Sequence, residues 1–555
     1  MEIVNLQSFF DNLTILADAP NGIVKLRQLI LQLAVRGKLV PQNPNDESAA
    51  SLATAIAQEK TYIDKTGANK NGSIKGELKF GDAPFSLPET WVWQRVEDVF
   101  YSISPGQNKI KSSEIRESGR FPVVDQGKKF IAGFIDDASK LIKIPGPVVI
   151  FGDHTCELKL VNFDFVAGAD GVKIMRPIHI YEPYFFRVTQ TFKFGERGYS
   201  RHYKLFLANL FPLPPLEEQK RIVAKVDELM QLCDELEVRE RRRRKSCVRL
   251  NEVTLAPLNN PASLTPEGFE QASVGLADNF TTLYDSVETV GKLRSTILEL
   301  GVQGKLAEQY PDDEAILAKG ESPDARDMLF QSPRNWVWAR FGEIAEIVSG
   351  VTKGRKLNGR KTALYPYLRV ANVQRWFLDL RVMKEIEILE DEIEKYRLKK
   401  NDLLITEGGD WDKVGRTAIW NDEIENCVHQ NHVFRARLLR SDISPIWVMT
   451  FLNSATGRTY FERASKQTTN LASINMRQLR ACPIAVPPLA EQKRIVAKVN
   501  QLISLCDELE TKLRQTEAES EKLMNAAVQH VLDAVTEAHS SNGSASANHK
   551  HSTGA

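Results

Sequence analysis

Apolar positions along one stretch of the chain recur with a coiled-coil beat. Ile222, Val226, Leu229, Cys233 and Leu236 follow one another at intervals of four, three, four and three residues. Ile495, Val499, Leu502, Cys506 and Leu509, continued by Leu513, repeat that beat far downstream. The spacing puts each set on one stripe of a helix and predicts a packed helical seam. A Pro-Pro pair stands ahead of each run, and Glu217, Glu218 and Glu491 fall in the first turn, where carboxylates favour a helix start. Shorter stripes, Leu26/Ile30/Leu33 and Leu293/Ile297/Leu300, predict two short helices, each stopped at a glycine suited to a left-handed cap, Gly37 and Gly304. A short core helix accounts for either short stripe alone. The long pair, with charged flanks, predicts coiled-coil packing.

These elements are duplicated. "PPLEEQKRIVAKVDELMQLCDELE" from Pro214 and "PPLAEQKRIVAKVNQLISLCDELE" from Pro487 agree at 19 of 24 positions. "KLRQLILQLAVRGKLVPQNPNDE" from Lys25 and "KLRSTILELGVQGKLAEQYPDDE" from Lys292 agree at 14 of 23. "WVWQR" at Trp91 is echoed by "WVWAR" at Trp336. Each half is therefore a short helix, a tryptophan marker, a large block and a long helix.

The blocks, residues 85–213 and 331–486, hold β-rich runs such as "GPVVIFGD", "FVAGADGVKIM", "NDLLITEGGD" and "NHVFRARLL", broken by Gly and Asp turns. Apart from scattered matches the two blocks do not resemble each other: the arms are duplicated and the heads have diverged. The expected partition is a helical arm (1–84), a first head (85–213), a central region with a long helix (214–330), a second head (331–486), a C-terminal long helix (487–537) and a Ser/Gly/Asn-rich disordered tail (538–555). The expected fold class is α+β, with two mixed α/β heads separated by an antiparallel two-helix coiled coil and a pseudo-two-fold internal repeat.

Composition narrows the function. With 73 Lys+Arg against 72 Asp+Glu the net charge is +1, which excludes a uniformly basic coat and leaves room for local basic patches. Six cysteines form no C-x-x-C pair, so neither a zinc knuckle nor a disulfide framework is signalled. The acidic N-terminus lacks the basic region of a signal peptide, and no apolar run nears the roughly 18 residues of a membrane span. The chain reads as soluble and cytoplasmic, with no membrane partner. There is no P-loop, H-E-x-x-H or G-x-S-x-G, and no Asn/Asp-Pro-Pro-aromatic loop of an amino-methyltransferase. His429 and His432 in "HQNH" have half the spacing of a metal site, but no third ligand stands near them in sequence; a strand end or contact surface is the plainer reading. No catalytic constellation and no metal site are expected.

Basic, glycine-flanked loops recur in both blocks. "VSGVTKGRKLNGRK" offers Lys353, Arg355, Lys356, Arg360 and Lys361 on a turn-forming stretch that suits phosphate contact. Arg369, Asn372 and Gln374 follow, of types that hydrogen-bond base edges. The matching place in the first block has Gln107, Asn108, Lys109 and Lys111, with Lys128 and Lys129 in "DQGKK" and Arg197, Arg201 and Lys204 in "GERGYSRHYK". Any one loop reads equally as a solvated turn; their recurrence after both markers weighs toward DNA. The run "RERRRRKS" after the first seam fits phosphate contact, an acidic partner or a solvated helix end.

With "PPL-x-EQKRIVAKV" present twice, the "GKL" arms and two unlike heads, the chain resembles the specificity subunit of Type I restriction-modification systems over about residues 1–537. "KKNDLLITEGGDWDKVGRTAIW" and "HQNHVFRARL" also resemble that family's target recognition segments. The resemblance implies that two target recognition domains each read half of a split, asymmetric site in double-stranded DNA. It implies that two methyltransferase subunits bind the arms and methylate adenine N6, and that a restriction subunit supplies the motor and nuclease. It places no catalytic residue or cofactor on this chain: S-adenosylmethionine, ATP and Mg belong to the partners. Paired helices of about 30 residues would span roughly 45 Å, a little over one DNA turn of about 34–36 Å, and so act as a ruler. Competing readings are a coiled-coil adaptor whose heads bind proteins and a single-chain DNA-modifying enzyme, the latter disfavoured by the missing catalytic loops.

Overall fold

The computed structural model describes residues 17–545 except 66–82, 107, 169–170, 196–199, 260–264, 315, 317–327, 356–358, 410 and 469–470. The chain forms two compact units, one of residues 1–242 with 517–555 and one of residues 243–516. Each contains one head. Four helices frame the heads: α1 (Gly22–Val35), α2 (Leu216–Asn259), α3 (Val287–Val302) and α4 (Leu489–Ala545). The unit boundary falls inside both long helices, so α2 and α4 each contribute to both units.

In the first unit, β1 (Val92–Arg95) pairs with β9 (Leu210–Leu213) at the base of the head, closing the block on itself. Between them lie β2 (Phe100–Ile103), β3 (Phe121–Val124), β4 (Gly133–Ile135), β5 (Val148–Gly152), β6 (Leu158–Val161), β7 (Val166–Ala167) and β8 (Val172–Pro177). They make an antiparallel sheet in the order β2-β8-β5-β6 and a smaller sheet, β4-β3-β7, in which β3 and β7 run parallel. The unbroken apolar run Val148–Gly152 is buried at every position, as suits a strand covered on both faces.

The second unit repeats this plan with other residues. Its strands are β10 (Val337–Arg340), β11 (Ala345–Ser349), β12 (Thr362–Leu368), β13 (Lys384–Leu389), β14 (Leu403–Thr406), β15 (Gly408–Gly409), β16 (Thr417–Ile419), β17 (Val428–His429), β18 (Val433–Leu438), β19 (Lys466–Thr468), β20 (Leu471–Ser473) and β21 (Pro483–Val486). β10 pairs with β21, the main sheet is β11-β18-β14-β16, and the smaller sheet is β13-β12-β17 with β12 and β17 parallel. An extra β15-β20-β19 sheet belongs to this head alone among the described residues. The heads that look unrelated in sequence share one topology. Strand cores need only apolar side chains at the right period, so the residues drift while the pairing holds.

The sequence of the repeated helix start is explained by what each polar residue grips. In the first unit the buried Glu218 accepts a hydrogen bond from the Trp91 indole at 3.0 Å. Gln219 accepts from the backbone N of Tyr181 at 3.0 Å and donates to the Pro214 carbonyl, tying the head to the helix. Arg221 grips both oxygens of Asp46, beyond the "GKL" turn. In the second unit Glu491 accepts from Trp336 at 3.0 Å, Gln492 from the N of Ser444 at 2.8 Å, and Arg494 grips Asp313. Gly37 and Gly304 take the left-handed backbone at φ 66° and 73°. A Cβ on either would crowd the Trp91 or Trp336 ring.

The seams are more than two-helix contacts. Ile222, Val226, Leu229, Cys233 and Leu236 bury in one cluster with Leu26 and Ile30 of α1 and Met524 of α4. In the second unit, Cys506 is buried among Leu255 and Leu258 of α2 and Leu293, Ile297 and Leu300 of α3, with Leu502 and Leu509 half-buried against them. Ile495 and Val499 pack into the head's core and crowd Gly301 of α3. Each unit thus holds a three-helix arrangement, and ion pairs match across the copies. Arg27 meets Asp234 and Glu237, while Arg294 meets Asp507 and Glu510.

Two expectations are corrected. The arginine run does not follow the first long helix but lies within it. α2 continues to Asn259, with residues 239–246 exposed on it except where Glu240 is half-buried; Arg241 pairs with Glu237 and Arg243 with Asp285. The C-terminal helix runs past 537 to Ala545, with no proline in residues 538–545 to stop it; residues 546–555 lie outside the described residues.

Candidate nucleic-acid interface

In the first head, the loops named from sequence are gathered at one end of the sheets. Lys109 bridges in parallel to Ala167 at the end of β7, and β7 lies beside β3, whose exit carries Lys128 and Lys129. Gly168 sits against Asp125 and Gly171 against Gln126 so closely that a Cβ on either would collide. The stretch holding Arg201 and Lys204 joins them through Asp153, which accepts from the N of His202 and, by its carboxylate, from the N of Tyr203 at 2.8 Å. Lys109, Lys111, Lys128, Lys129, Arg201 and Lys204 are exposed, and Asn108 is half-buried. Gln107 and Arg197 lie outside the described residues.

A residue that pattern reading missed holds this end in shape. Lys159 of β6 is buried and donates to the carbonyls of Asp125, at 2.8 Å, and Lys129, at 2.5 Å. Its ammonium thus pins the "DQGKK" loop from below and turns Lys128 and Lys129 outward. Burial pushes the Lys159 pKa down, and Asp125 opposes the shift. In sequence it is one lysine in an alternating strand, with no mark of its partners.

The second head gathers its loops in the same way. Val351 bridges in parallel to Gln430, and the N of Gln430 donates to the Leu368 carbonyl, so the basic loop, the β12 exit and the "HQNH" turn meet. Here the structure departs from the expected surface. Arg355 pairs with Glu392, Arg360 with Asp391 and Lys361 with Glu390 at 2.7 Å, so an acidic turn matches three cations of the loop. Lys353 is exposed, and Lys356 lies outside the described residues.

Asn372 does not present a free polar edge, whereas Arg369 and Gln374 are half-buried and only partly engaged. Asn372 is buried, accepting from the Arg369 N and donating to the Asp379 carbonyl at 2.8 Å and the Val382 carbonyl at 3.2 Å. Arg369 also donates to the Val382 carbonyl, and Gln374 joins the Ala371 carbonyl to Arg416. These bonds serve a long connection whose buried carbonyls need donors. That connection exposes Trp376, Phe377, Arg381 and Val382.

His429 is fully buried with Nδ1 on the Val433 carbonyl at 2.7 Å, and burial pushes its pKa down to about 4. His432 points elsewhere, to Glu407 at 2.5 Å. No cluster of three metal-ligating side chains occurs among the described residues. No described helix is long and apolar enough to cross a membrane.

The family described as "Type I restriction modification DNA specificity domain" matches residues 88–243 and again 333–518, one copy for each head and the helix after it. The specificity subunit of the Type I restriction enzyme EcoEI of Escherichia coli is 28% identical, over 93% of this chain and 94% of that one. The EcoAI specificity subunit of Escherichia coli is 26% identical over the same shares. Among solved structures, the HsdS subunit of Thermoanaerobacter tengcongensis aligns over 81% of this chain and 99% of that one, at 20% identity and a TM-score of 0.37.

Proposed function

The chain belongs to the Type I restriction-modification DNA specificity family, with two recognition domains joined by a coiled coil, and we propose that it reads a bipartite, asymmetric duplex site. It is the DNA-recognition subunit, and each head takes one half of the site. The observation that carries this reading is the pairing of near-identical clasps with unlike loops. Glu218, Gln219 and Arg221 seat one head as Glu491, Gln492 and Arg494 seat the other, while the gathered loops share no sequence. Identical seats offer one kind of partner two equivalent docking places, and different loops let the halves differ, which a homodimer does not allow.

In this reading the partners are two methyltransferase subunits and, for cleavage, restriction subunits. The chain is non-catalytic and works in the cytoplasm; S-adenosylmethionine, ATP and Mg are handled by those partners. Basic loops such as Lys128–Lys129 supply phosphate contacts, and the exposed parts of the gathered loops read base edges. The test is co-purification with an adenine methyltransferase subunit, selection from randomised duplexes, and light scattering of the complex. Two partner copies per chain and one enriched split motif are expected. A one-to-one complex, or binding with no enriched sequence, would sink the assignment.

A further inference from the structure

The connection between β12 and β13 (residues 369–383) turns two aromatic side chains to solvent, Trp376 at 38% and Phe377 at 60% exposure. Adjacent exposed rings on a water-soluble surface mark a contact site more often than chance. Here the exposure is enforced. The N of Gln374 donates to the Phe377 carbonyl at 3.0 Å, and the N of Trp376 donates to the Thr417 carbonyl at 3.1 Å. Trp376 sits at φ 78°, a region costly for a bulky residue and kept only when surroundings hold it. Asn372 ties the rest of the connection down from inside. These bonds fix the backbone from which the rings project.

The surroundings say what such a tip meets. Arg375 and Arg416 both bond Asp412, and Arg458 borders a small cavity with Arg375. Two nitrogens of Arg375, Nε and Nη1, are buried without a hydrogen-bond partner. Arg375, Arg416 and Arg458 stand against Asp412 and Glu462, an excess of one positive charge that favours a polyanion. The first head repeats the feature at the same topological place. Phe130, 48% exposed, follows Lys128 and Lys129 on the connection between β3 and β4. Both heads, with unrelated loop sequences, carry a ring beside cations on the connection between equivalent strands, Phe130 backed edge-on by Phe163 at 6.1 Å.

We propose that these rings are base-step wedges: Phe377 with Trp376 in the second head, and Phe130 in the first, press between stacked base pairs while the adjacent cations hold phosphates. The inference rests on the DNA-reading function above. Apolar side chains that enter a groove unstack a step, and rigid support is what makes the insertion possible. The wedge adds discrimination by deformability, since some steps open more easily than others.

The test uses the complex with its methyltransferase and a duplex selected from a randomised pool, with 2-aminopurine scanned through both half-sites. A fluorescence rise is expected in each half-site at a step other than the methylated adenine, which the methyltransferase extrudes by itself. Phe377→Ala should abolish the rise only in the half-site of the second head and weaken binding about tenfold or more, with the salt dependence unchanged. Phe377→Trp should keep the rise. A complex that binds its site with no 2-aminopurine response except at the methylated adenine would overturn the wedge. So would a Phe377→Ala chain that loses the methyltransferase, which would assign the rings to protein docking. A wild-type complex without sequence-selective binding would instead overturn the DNA reading itself, and the wedge with it.

Discussion

The Trp91 indole donates to the buried carboxylate of Glu218 at 3.0 Å, joining the marker ahead of a head to the helix behind it. Trp336 and Glu491 repeat the bond at the same length. Burial raises the pKa of both glutamates, against the pull of the indole donors. A raised carboxyl pKa means that stability is fully present below the ordinary glutamate value and is lost as pH rises through the folded value. Glu218→Gln keeps an acceptor without the charge, so its stability relative to wild type should improve between pH of about 4.5 and neutrality. Trp91→Phe strands the carboxylate and should cost about 1–3 kcal/mol. Thermal unfolding across pH measures both, and a Trp91→Phe protein as stable as wild type would remove the clasp from the account.

The neighbouring pair has the opposite sign. Arg221 holds the Asp46 carboxyl below its ordinary pKa, as Arg494 does Asp313. That contribution is present above the ordinary aspartate value and is lost as pH falls through the lowered folded value. Arg221→Ala should therefore flatten the acid limb of the unfolding profile, and an unchanged limb would show that the pair contributes nothing.

Lys128 and Lys159 act on one loop by different routes. Lys128→Ala should weaken binding to all sequences alike and reduce the salt slope by about one. Lys159→Met should free the 125–129 loop and blur the motif in the first half-site alone. Methylation-site sequencing separates the two, and a blurred second half-site in the Lys159 variant would refute the local role.

Asn372→Ala leaves the Asp379 carbonyl without its side-chain donor and the Arg369 N without its acceptor, while the Val382 carbonyl keeps Arg369, so about 1–3 kcal/mol of local stability should go. Hydrogen exchange should quicken through residues 369–383. Full protection together with relaxed choice at one base pair would return Asn372 to direct base reading.

The ruler is tested by inserting one heptad into each long helix. The places are after Arg242 and after Thr516, where the units divide, because insertion beside Cys233 or Cys506 would pull Asp234 and Asp507 away from Arg27 and Arg294. Seven residues add roughly 10 Å, near three base-pair steps. The half-sites should keep their sequences while the preferred spacer grows by up to about three pairs. An unchanged spacer with full activity would exclude the helices as the ruler.

By itself the sequence determined the repeat, the helical stripes and the glycine caps at Gly37 and Gly304. Those features are local or periodic, so spacing alone expresses them. It also placed basic loops after both markers. Only the tertiary structure decided which of their residues face out. Asn372 reads in sequence as a base contact, but its amide is claimed by carbonyls seven and ten residues on. Arg355, Arg360 and Lys361 read as phosphate contacts; Arg360 and Lys361 do face out, and what the sequence hides is that an acidic turn about 30 residues away pairs with all three across β12 and β13. Lys159 gains its role from two carbonyls on another strand's exit. The shared topology of the heads was equally hidden, because it resides in strand pairing between distant segments and can be built from many apolar sequences.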